Sequence, residues 1–296
     1  RETRVNYTEG ANRIMKYIIL AETGADIPQD LLDEYGIYTV PMHVEFEGET
    51  RADGTFPVTE LFQSYKKTGV LPKTSGCNVT DFEQIFDRIH TEHPESHILY
   101  LAYSACTTCS YQSAVIAGEN LDYITYFDTK MVSAGQCMSV IALARYLKAH
   151  PDAEISEIMK KAEEIREKSR MGFFPGDLDY LRAGGRVSNA AYLGARILSL
   201  NPLIEMQDGK LMASKKYRGN MSKVSEKLLK EFVEKHDFSR DLLFFVYSLG
   251  FSEAQMEKLT AEAREMGFQE IRWIRTGCVI STHSGPGAFG ICGFSR

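Results

Sequence analysis

The sequence predicts an α/β protein with two domains, and three observations lead to this prediction. In the first half, short apolar strand-like segments alternate with helix-like segments, which is typical of a mostly parallel sheet with helices on both faces. In the second half, Asp208-Gly209 separates two alternating segments and indicates a hairpin, so strand directions there are mixed. A chain of 296 residues can also bury more than one core.

We place the domain boundary at residue 173. A first α/β domain then covers residues 16–172, and a second α+β domain covers residues 173–296. Residues 1–15 are polar and begin without Met, which indicates a tail that partly derives from cloning.

The first domain opens with Tyr17–Leu20, an apolar run that predicts a buried strand. Pro28 suits the first turn of a helix over residues 28–35. The alternation over Tyr38–Phe46 predicts a second strand. The further predicted elements are strands over residues 98–102 and 123–127 and helices over residues 110–120, 134–148 and 155–165.

A helix over residues 80–89 has the strongest pattern of all. Thr80 and Glu83 have the spacing of a capping box, which closes the first turn of a helix. Four apolar residues follow at helical spacing and line one face. They are Phe82, Ile85, Phe86 and Ile89.

The second domain mixes hairpin and helix signals. We predict hairpin strands over residues 203–206 and 211–217, helices over residues 223–235 and 256–266, and strands over residues 242–247, 271–274 and 278–281.

Charge and apolar run length exclude several classes of function. The net charge of -6 argues against a nucleic-acid partner. The longest apolar runs are far shorter than a membrane span, so we expect no integral membrane segment and a cytoplasmic location. The six cysteines lie in mostly apolar segments, which favours reduced thiols. Cys106 and Cys109 have redox or zinc spacing, but no second pair lies nearby.

Three hydroxyl-rich or glycine-rich segments are candidates for a site: residues 72–76, residues 104–112 and residues 283–290. Ser and Thr before helices are usually caps, so each hydroxyl alone is weak support. In the third segment an expected strand ends at His283, followed by Gly285 and Gly287. Bare N–H groups there could form a nest for an anion, and the alternative is an ordinary tight turn with an incidental histidine.

Two basic groups are further candidates. Arg182 and Arg186 flank a Gly pair and could clamp a carboxylate, or they could be exposed arginines around a helix C-cap. Lys215, Lys216 and Arg218 could form a docking face for an anionic partner, or they could belong to a solvated strand edge.

The common enzyme signatures are missing from this sequence. It has no Gly-x-Ser-x-Gly elbow, no phosphate-binding loop and no His-Glu-x-x-His. With one well-placed histidine we cannot assemble a nucleophile, a base and an orienting group, so we expect a protein that is not an enzyme.

In the order of its motifs the chain resembles the DegV family, the bacterial fatty-acid-binding proteins that serve a fatty acid kinase. The resemblance covers residues 17–294 and depends on order and spacing together. The motifs that carry it are Ala25-Asp26-Ile27-Pro28, Arg51-Ala52-Asp53-Gly54, Pro72-Lys73-Thr74-Ser75, Tyr111-Gln112-Ser113-Ala114, Leu181-Arg182-Ala183-Gly184-Gly185-Arg186, Asn201-Pro202-Leu203, Asp208-Gly209-Lys210, Arg218-Gly219 and the Gly285-Pro286-Gly287 turn with His283.

The resemblance implies two α/β domains with a long-chain fatty acid buried between them. It also implies that the acid's carboxylate is presented to a separate ATP-dependent kinase, which forms an acyl phosphate for phospholipid synthesis. No cofactor is implied. The implied carboxylate ligands are Thr74 and Thr108, with His283 beside them and Ser75 as a neighbour. Arg182, Arg186 and Arg218 are implied near the head group or on the kinase-docking face.

The sequence departs from the family pattern near the expected head group. Cys109 stands where the family has Gly, which adds bulk and removes backbone freedom. Cys77 replaces a Pro, and Glu22-Thr23-Gly24 replaces Asp-Ser-Thr. Two other functions stay open: a self-contained acyl hydrolase that uses His283, and an interaction module whose cavity is empty.

Overall fold

A computed structural model describes residues 16–188 and 200–296, so the predicted tail over residues 1–15 lies outside the described residues. The described strands are β1 (Tyr17–Glu22), β2 (Tyr38–Val40), β3 (His43–Phe46), β4 (Glu49–Ala52), β5 (Lys73–Ser75), β6 (His97–Ala102), β7 (Ile124–Asp128), β8 (Ser169–Phe174), β9 (Leu200–Gln207), β10 (Lys210–Arg218), β11 (Phe238–Tyr247), β12 (Glu270–Arg275) and β13 (Phe289–Ser295). The described α-helices are α1 (Gln29–Tyr35), α2 (Val58–Thr68), α3 (Val79–Glu92), α4 (Ser110–Ala117), α5 (Ser133–Ala149), α6 (Ile155–Lys168), α7 (Leu178–Gly184), α8 (Met221–Lys235), α9 (Glu253–Glu265) and α10 (Cys278–Ser284).

The first sheet is parallel throughout, with strand order β2-β1-β6-β7. Tyr100 of β6 packs its ring against Phe82 of α3 and Tyr111 of α4. Its neighbour Leu101 lies instead beside residues of α5 and α6, because successive side chains of a strand point to opposite faces. Helices therefore cover both faces of this sheet, and the predicted α/β organisation is confirmed.

The second sheet has the order β10-β9-β8-β13-β11-β12. All of its pairs are antiparallel except β11 with β12, so the prediction of mixed strand directions is confirmed. The predicted Asp208-Gly209 turn joins β9 to β10, with Asp208 and Gly209 both at positive φ. The sheet starts at Ser169, so the division expected at residue 173 falls inside β8.

A small antiparallel sheet, β4-β3-β5, was not predicted. The alternation over Tyr38–Phe46 predicted one strand, whereas the structure breaks it into β2 and β3 around Pro41 and Met42. Proline has no N–H for a strand ladder, which explains the break. β3 then pairs with β5, and this pairing fixes Lys73, Thr74 and Ser75 in an extended conformation.

Helix α3 has the predicted apolar face but a different cap. Phe82, Ile85, Phe86 and Ile89 are buried, and each such side chain contributes about 1.5–3 kcal/mol of gross burial energy. The predicted box of Thr80 and Glu83 is wrong. The side chain of Asn78 accepts from Asp81 N at 3.0 Å, and the side chain of Asp81 accepts from Asn78 N at 2.7 Å. Asn is among the strongest N-caps, so the helix begins at Val79.

Helix α10 replaces the strand predicted over residues 278–281. Two carboxylates from the first half of the chain accept its first free N–H groups. Asp26 Oδ1 lies 2.7 Å from Gly277 N, and Asp53 Oδ1 lies 2.9 Å from Cys278 N. These contacts satisfy donors that a helix leaves unpaired, and they favour a helix although the run is apolar and partly β-branched.

Helix α5 connects the two sheets. It contacts β1 of the first sheet and β8, β11 and β13 of the second. Its residues from Ser133 to Ile141 are all buried, which fits a helix enclosed by protein on every side. The apolar core is therefore continuous from one sheet to the other.

Candidate functional site

A cavity lies between the two halves of the chain. It encloses about 840 Å³ of space between protein atoms, its open mouth included. Met42 and Val132 line it from the first half, and Met171, Phe173 and Val246 line it from the second half. Most of its surface is apolar, but polar side chains interrupt that surface, and one group of them consists of residues predicted from the sequence. This group contains Thr74, Ser75, Thr108, Arg186 and His283.

Thr74 and His283 are in direct contact within this group. Thr74 Oγ1 lies 2.7 Å from His283 Nε2. Strand β5 presents Thr74, and the last turn of α10 presents His283. Two residues from separate candidate segments of the sequence are thus joined by a hydrogen bond. Ser75 lines the same cavity from the next position of β5.

Thr108 lies near this group because its loop packs against the end of β5. Its Oγ1 lies 3.0 Å from Ser110 Oγ, and Ser110 Oγ in turn accepts from Cys77 N at 3.0 Å. An added Cβ at Gly76 would lie 2.3 Å from Thr108 Oγ1. The loop over residues 104–109 can therefore pack on the end of β5 only because residue 76 has no side chain. Gly76 and Thr107 also line the cavity; both lie in candidate segments, but neither was singled out as a site residue.

His283 is neutral near pH 7. Burial lowers its pKa to about 4, and the positive charge of Arg186 acts in the same direction. Its Nδ1 is buried and has no hydrogen-bond partner among the described residues. A Cβ added at Gly184 of α7 would lie 2.1 Å from this atom, so the backbone of α7 packs directly against the ring.

The glycine turn after α10 is not an anion nest. The sequence predicted His283 at the end of a strand, whereas the structure places it in the last turn of a helix. The N–H of Gly287 donates to Leu249 O at 2.9 Å, and the N–H of Ala288 donates to Ser248 Oγ at 2.7 Å. Because protein atoms already accept from these groups, the turn positions α10 and does not bind a ligand through its N–H groups.

The three candidate arginines lie in different places in the structure. Arg186 lines the cavity and donates through Nη1 to Gly184 O at 2.9 Å. Arg182 is exposed on α7, and Arg218 is exposed at the end of β10; neither lines the cavity. β10 is an edge strand, and its Lys215 forms an ion pair with Glu231 at 2.8 Å.

The cysteines and the described helices show no disulfide, no metal site and no membrane span. All six cysteines are free, and Cys106 and Cys109 are exposed. Within residues 16–188 and 200–296, no three His, Cys, Asp or Glu side chains are grouped as a metal would require. No helix in these same ranges has the length and apolar character needed to cross a bilayer.

Buried carboxyl groups beside the cavity were missed by the sequence analysis. Glu22 is fully buried and accepts from Tyr100 Oη at 2.5 Å, from Tyr103 N at 2.9 Å and from Gln136 Nε2 at 2.8 Å. Burial raises the pKa of Glu22 and, more strongly, that of Asp26. The family motifs were the sequence signal that could have identified two of these carboxyl groups, because Asp26 and Asp53 both lie within motifs that carried the resemblance.

These features define an α/β protein of two large sheets and one small sheet, with a mostly apolar internal cavity and a hydroxyl–imidazole group on its wall. A family profile described as "Uncharacterised protein, DegV family" matches residues 16–296. The chain belongs to the DegV family, and the resemblance found from its motifs is confirmed.

Relatives of this chain include proteins named for fatty-acid binding. A "Fatty acid-binding protein" of Thermotoga maritima is 27% identical over 283 residues, 93% of this chain and 96% of that protein. The structure titled "Fatty Acid Binding of a DegV family Protein from Thermus thermophilus" has a TM-score of 0.84 and 26% identity, and the match covers 95% of this chain and 100% of that one. A "degv lipid binding protein" of Thermotoga maritima has a TM-score of 0.81 at 26% identity, with coverage of 95% and 100%.

Proposed function

We propose that this chain binds a long-chain fatty acid in the cavity, with the carboxylate beside Thr74, Ser75, Thr108 and His283. The observation that carries this proposal is the Thr74–His283 pair on the wall of a mostly apolar cavity, with Ser75 and Thr108 lining the same cavity. The names of the relatives support the same class of ligand.

The energetics of the cavity suit an amphipathic ligand. Each methylene that leaves water for an apolar wall contributes about 0.8 kcal/mol. A carboxylate that lost its water contacts without new partners would offset much of that gain. The hydroxyls of Thr74, Ser75 and Thr108 can donate to it, and the guanidinium of Arg186 supplies positive charge nearby.

His283 would act by orienting the hydroxyl of Thr74. A neutral imidazole with its hydrogen on Nε2 donates to Thr74 Oγ1, and the Thr74 hydroxyl is then free to donate to the carboxylate. The other tautomer would leave a buried N–H at Nδ1 unpaired, which is rarer in proteins than an unpaired acceptor. This assigns His283 to ligand positioning.

We further propose that the bound carboxylate is presented to a separate ATP-dependent kinase, which forms an acyl phosphate. Phosphoryl transfer needs positioning and neutralisation of charge more than covalent help from the protein. Arg186 lies at the site, and Arg182 and Arg218 are exposed, where an acidic kinase surface could contact them. In this proposal the chain itself carries out no catalysis.

A self-contained acyl hydrolase is supported less well by the geometry. The Thr74–His283 pair could act as nucleophile and base, but Nδ1 of His283 has no orienting carboxylate among the described residues. Hydrolysis of a model ester that disappears in His283→Ala would favour the hydrolase.

The binding proposal is tested on the purified chain. The protein is denatured, the extract is examined for acyl chains by mass spectrometry, and delipidated protein is titrated with octadecanoic acid. We expect a co-purifying acid or saturable uptake; the absence of both would contradict the proposal. Presentation is tested by adding a purified fatty acid kinase and ATP and measuring acyl phosphate, with Arg186→Gln and the surface variant Lys67→Gln compared.

A further inference from the structure

The wall of the cavity carries a polar group outside the hydroxyl–imidazole group. Tyr103 follows β6 directly and lines the cavity, and its exposed fraction is 9%. Its side chain is buried, and its one hydrogen bond to the described residues is made by its backbone N–H and not by its hydroxyl. A buried phenol hydroxyl without a partner has a desolvation cost unless a ligand pairs with it.

The ring of Tyr103 is held in place from two sides. Its backbone N–H donates to Glu22 Oε2 at 2.9 Å, which fixes the chain at the end of β6. A Cβ added at Gly24 would lie 3.3 Å from Tyr103 Cε2 and 2.7 Å from Met42 Sδ. The ring therefore packs closely over the backbone at Gly24, and its hydroxyl occupies a fixed position.

The hydroxyl of Tyr126 provides a comparison for that of Tyr103. The hydroxyl of Tyr126 also lacks a partner, but its oxygen is sealed in packing, and a Cβ at Gly118 would lie 1.9 Å from it. Tyr126 does not line the cavity. The hydroxyl of Tyr103 is not among the sealed oxygens, so it is accessible from the cavity that its ring lines.

Two other hydroxyls on the cavity wall are already engaged. Ser133 Oγ donates to Asp26 Oδ2 at 2.5 Å, and Thr276 Oγ1 lies 2.8 Å from Ser281 Oγ. Both residues line the cavity. Burial raises the pKa of Tyr103, so its phenol stays protonated and is a hydrogen-bond donor. A ligand that matches this wall needs an acceptor on its chain as well as at its head.

We propose that the cavity takes an oxygenated long-chain fatty acid, and that the Tyr103 hydroxyl donates a hydrogen bond to a hydroxyl on the acyl chain. This inference rests on the proposed function, since the carboxylate is taken to lie at Thr74 and His283. It adds a second point of recognition within the same cavity. A saturated chain would leave the Tyr103 hydroxyl unpaired, whereas a hydroxylated chain would pair it.

The test compares octadecanoic acid with hydroxyoctadecanoic acids that carry the hydroxyl at different carbons. Each acid is titrated calorimetrically into delipidated wild-type protein, Tyr103→Phe and the matched control Tyr126→Phe. We expect the wild type to bind one positional isomer about tenfold more tightly than octadecanoic acid. Tyr103→Phe should bring this ratio close to one, and Tyr126→Phe should leave it unchanged.

Three results would overturn the proposal. Equal binding of octadecanoic acid and every hydroxylated isomer by the wild type would mean that the Tyr103 hydroxyl is satisfied by water. A uniform loss of affinity for all acids in Tyr103→Phe would place this hydroxyl at the carboxylate. Failure of every acid to bind would overturn the proposed function as well, and this outcome differs from equal binding.

Discussion

His283 Nε2 and Thr74 Oγ1 lie 2.7 Å apart, although 209 residues separate them in sequence. Thr74 belongs to the small sheet of the first half, and His283 belongs to α10 of the second half. The hydrogen bond therefore exists only when the two halves are packed together. The polar group on the cavity wall is a product of tertiary structure and has no counterpart in either segment alone.

Replacing Thr74 by Val tests this contact. Valine has nearly the same shape but no hydroxyl, so His283 Nε2 loses its partner and the carboxylate loses a donor. We expect fatty acid affinity to fall about tenfold or more, since hydrogen bonds to charged groups contribute about 1.5–3 kcal/mol. Thr68→Val is the control, because the Thr68 hydroxyl donates to Ser64 O outside the cavity. Equal affinities of Thr74→Val and wild type, measured by titration, would exclude a hydrogen bond from Thr74 to the carboxylate.

Gly184→Ala tests the packing of α7 on the imidazole. Alanine is the better helix former by about 1 kcal/mol, so helix propensity alone would favour this change. A Cβ 2.1 Å from His283 Nδ1 must displace the ring, and such overpacking typically costs about 1–3 kcal/mol. We therefore expect lower stability to urea and weaker fatty acid binding. Ala183→Ser, at the exposed neighbouring position, should leave both unchanged; a stabilised Gly184→Ala would show that the ring is not confined.

The buried imidazole also predicts a pH dependence of stability. Burial lowers the pKa of His283 to about 4, from an ordinary value of about 6.5. As the pH falls from about 6.5 toward 4, the unfolded chain binds a proton that the folded chain does not, so stability is lost in this window. The loss amounts to roughly 3 kcal/mol at most.

His283→Gln removes this term and should flatten the difference between the free energies of unfolding at pH 7.5 and pH 4.5. The other acid-sensitive groups contribute to wild type and variant alike, so the comparison isolates the imidazole. His150→Gln, at an exposed position, is the control and should keep the wild-type slope. The same slope in His283→Gln and wild type would contradict the assignment.

Asp26→Asn tests the carboxylates at the start of α10. Burial raises the pKa of Asp26 well above its usual range, and the neighbouring charge of Asp53 adds to the effect. For such a group, stability is fully present below the unfolded pKa and is lost as the pH rises toward the folded pKa. An amide keeps an acceptor for Gly277 N and suits the left-handed backbone at residue 26, where φ is 54°.

We expect Asp26→Asn to be more stable than wild type at pH 8, with the difference closing toward pH 4. Urea unfolding at several pH values measures it. Asp152→Asn, at an exposed position, should show no such trend. A destabilisation at pH 8 would mean that Asp26 works as a charged cap.

The regular parts of the fold were predictable because local sequence specifies them. The apolar runs of β1 and β6 and the Asp208-Gly209 turn carry their structural preference within a few residues. The helix α10 was not predictable, because its run of apolar and β-branched residues suits a strand equally well. Its helical start depends on Asp26 and Asp53, which lie 251 and 225 residues away.

The candidate site shows the same division. Thr74, Thr108 and His283 could be selected from the order of family motifs, and the structure brings them to one cavity. The sequence left open whether Gly285 and Gly287 form an anion nest or an ordinary turn, because the distant Leu249 and Ser248 that accept from the N–H groups of this turn decide it. Tyr103 carries no sequence signal, since only the cavity distinguishes its hydroxyl from that of Tyr126.

The position of β13 between β8 and β11 has a consequence for synthesis on the ribosome. The first sheet needs only residues 17–128 and can form early. The second sheet stays in two unjoined pieces, β8 to β10 and β11 to β12, until residues 289–295 emerge between them. Nascent chains stalled before that strand should therefore expose apolar sheet edges, and chaperone binding should fall once the strand has joined the two pieces.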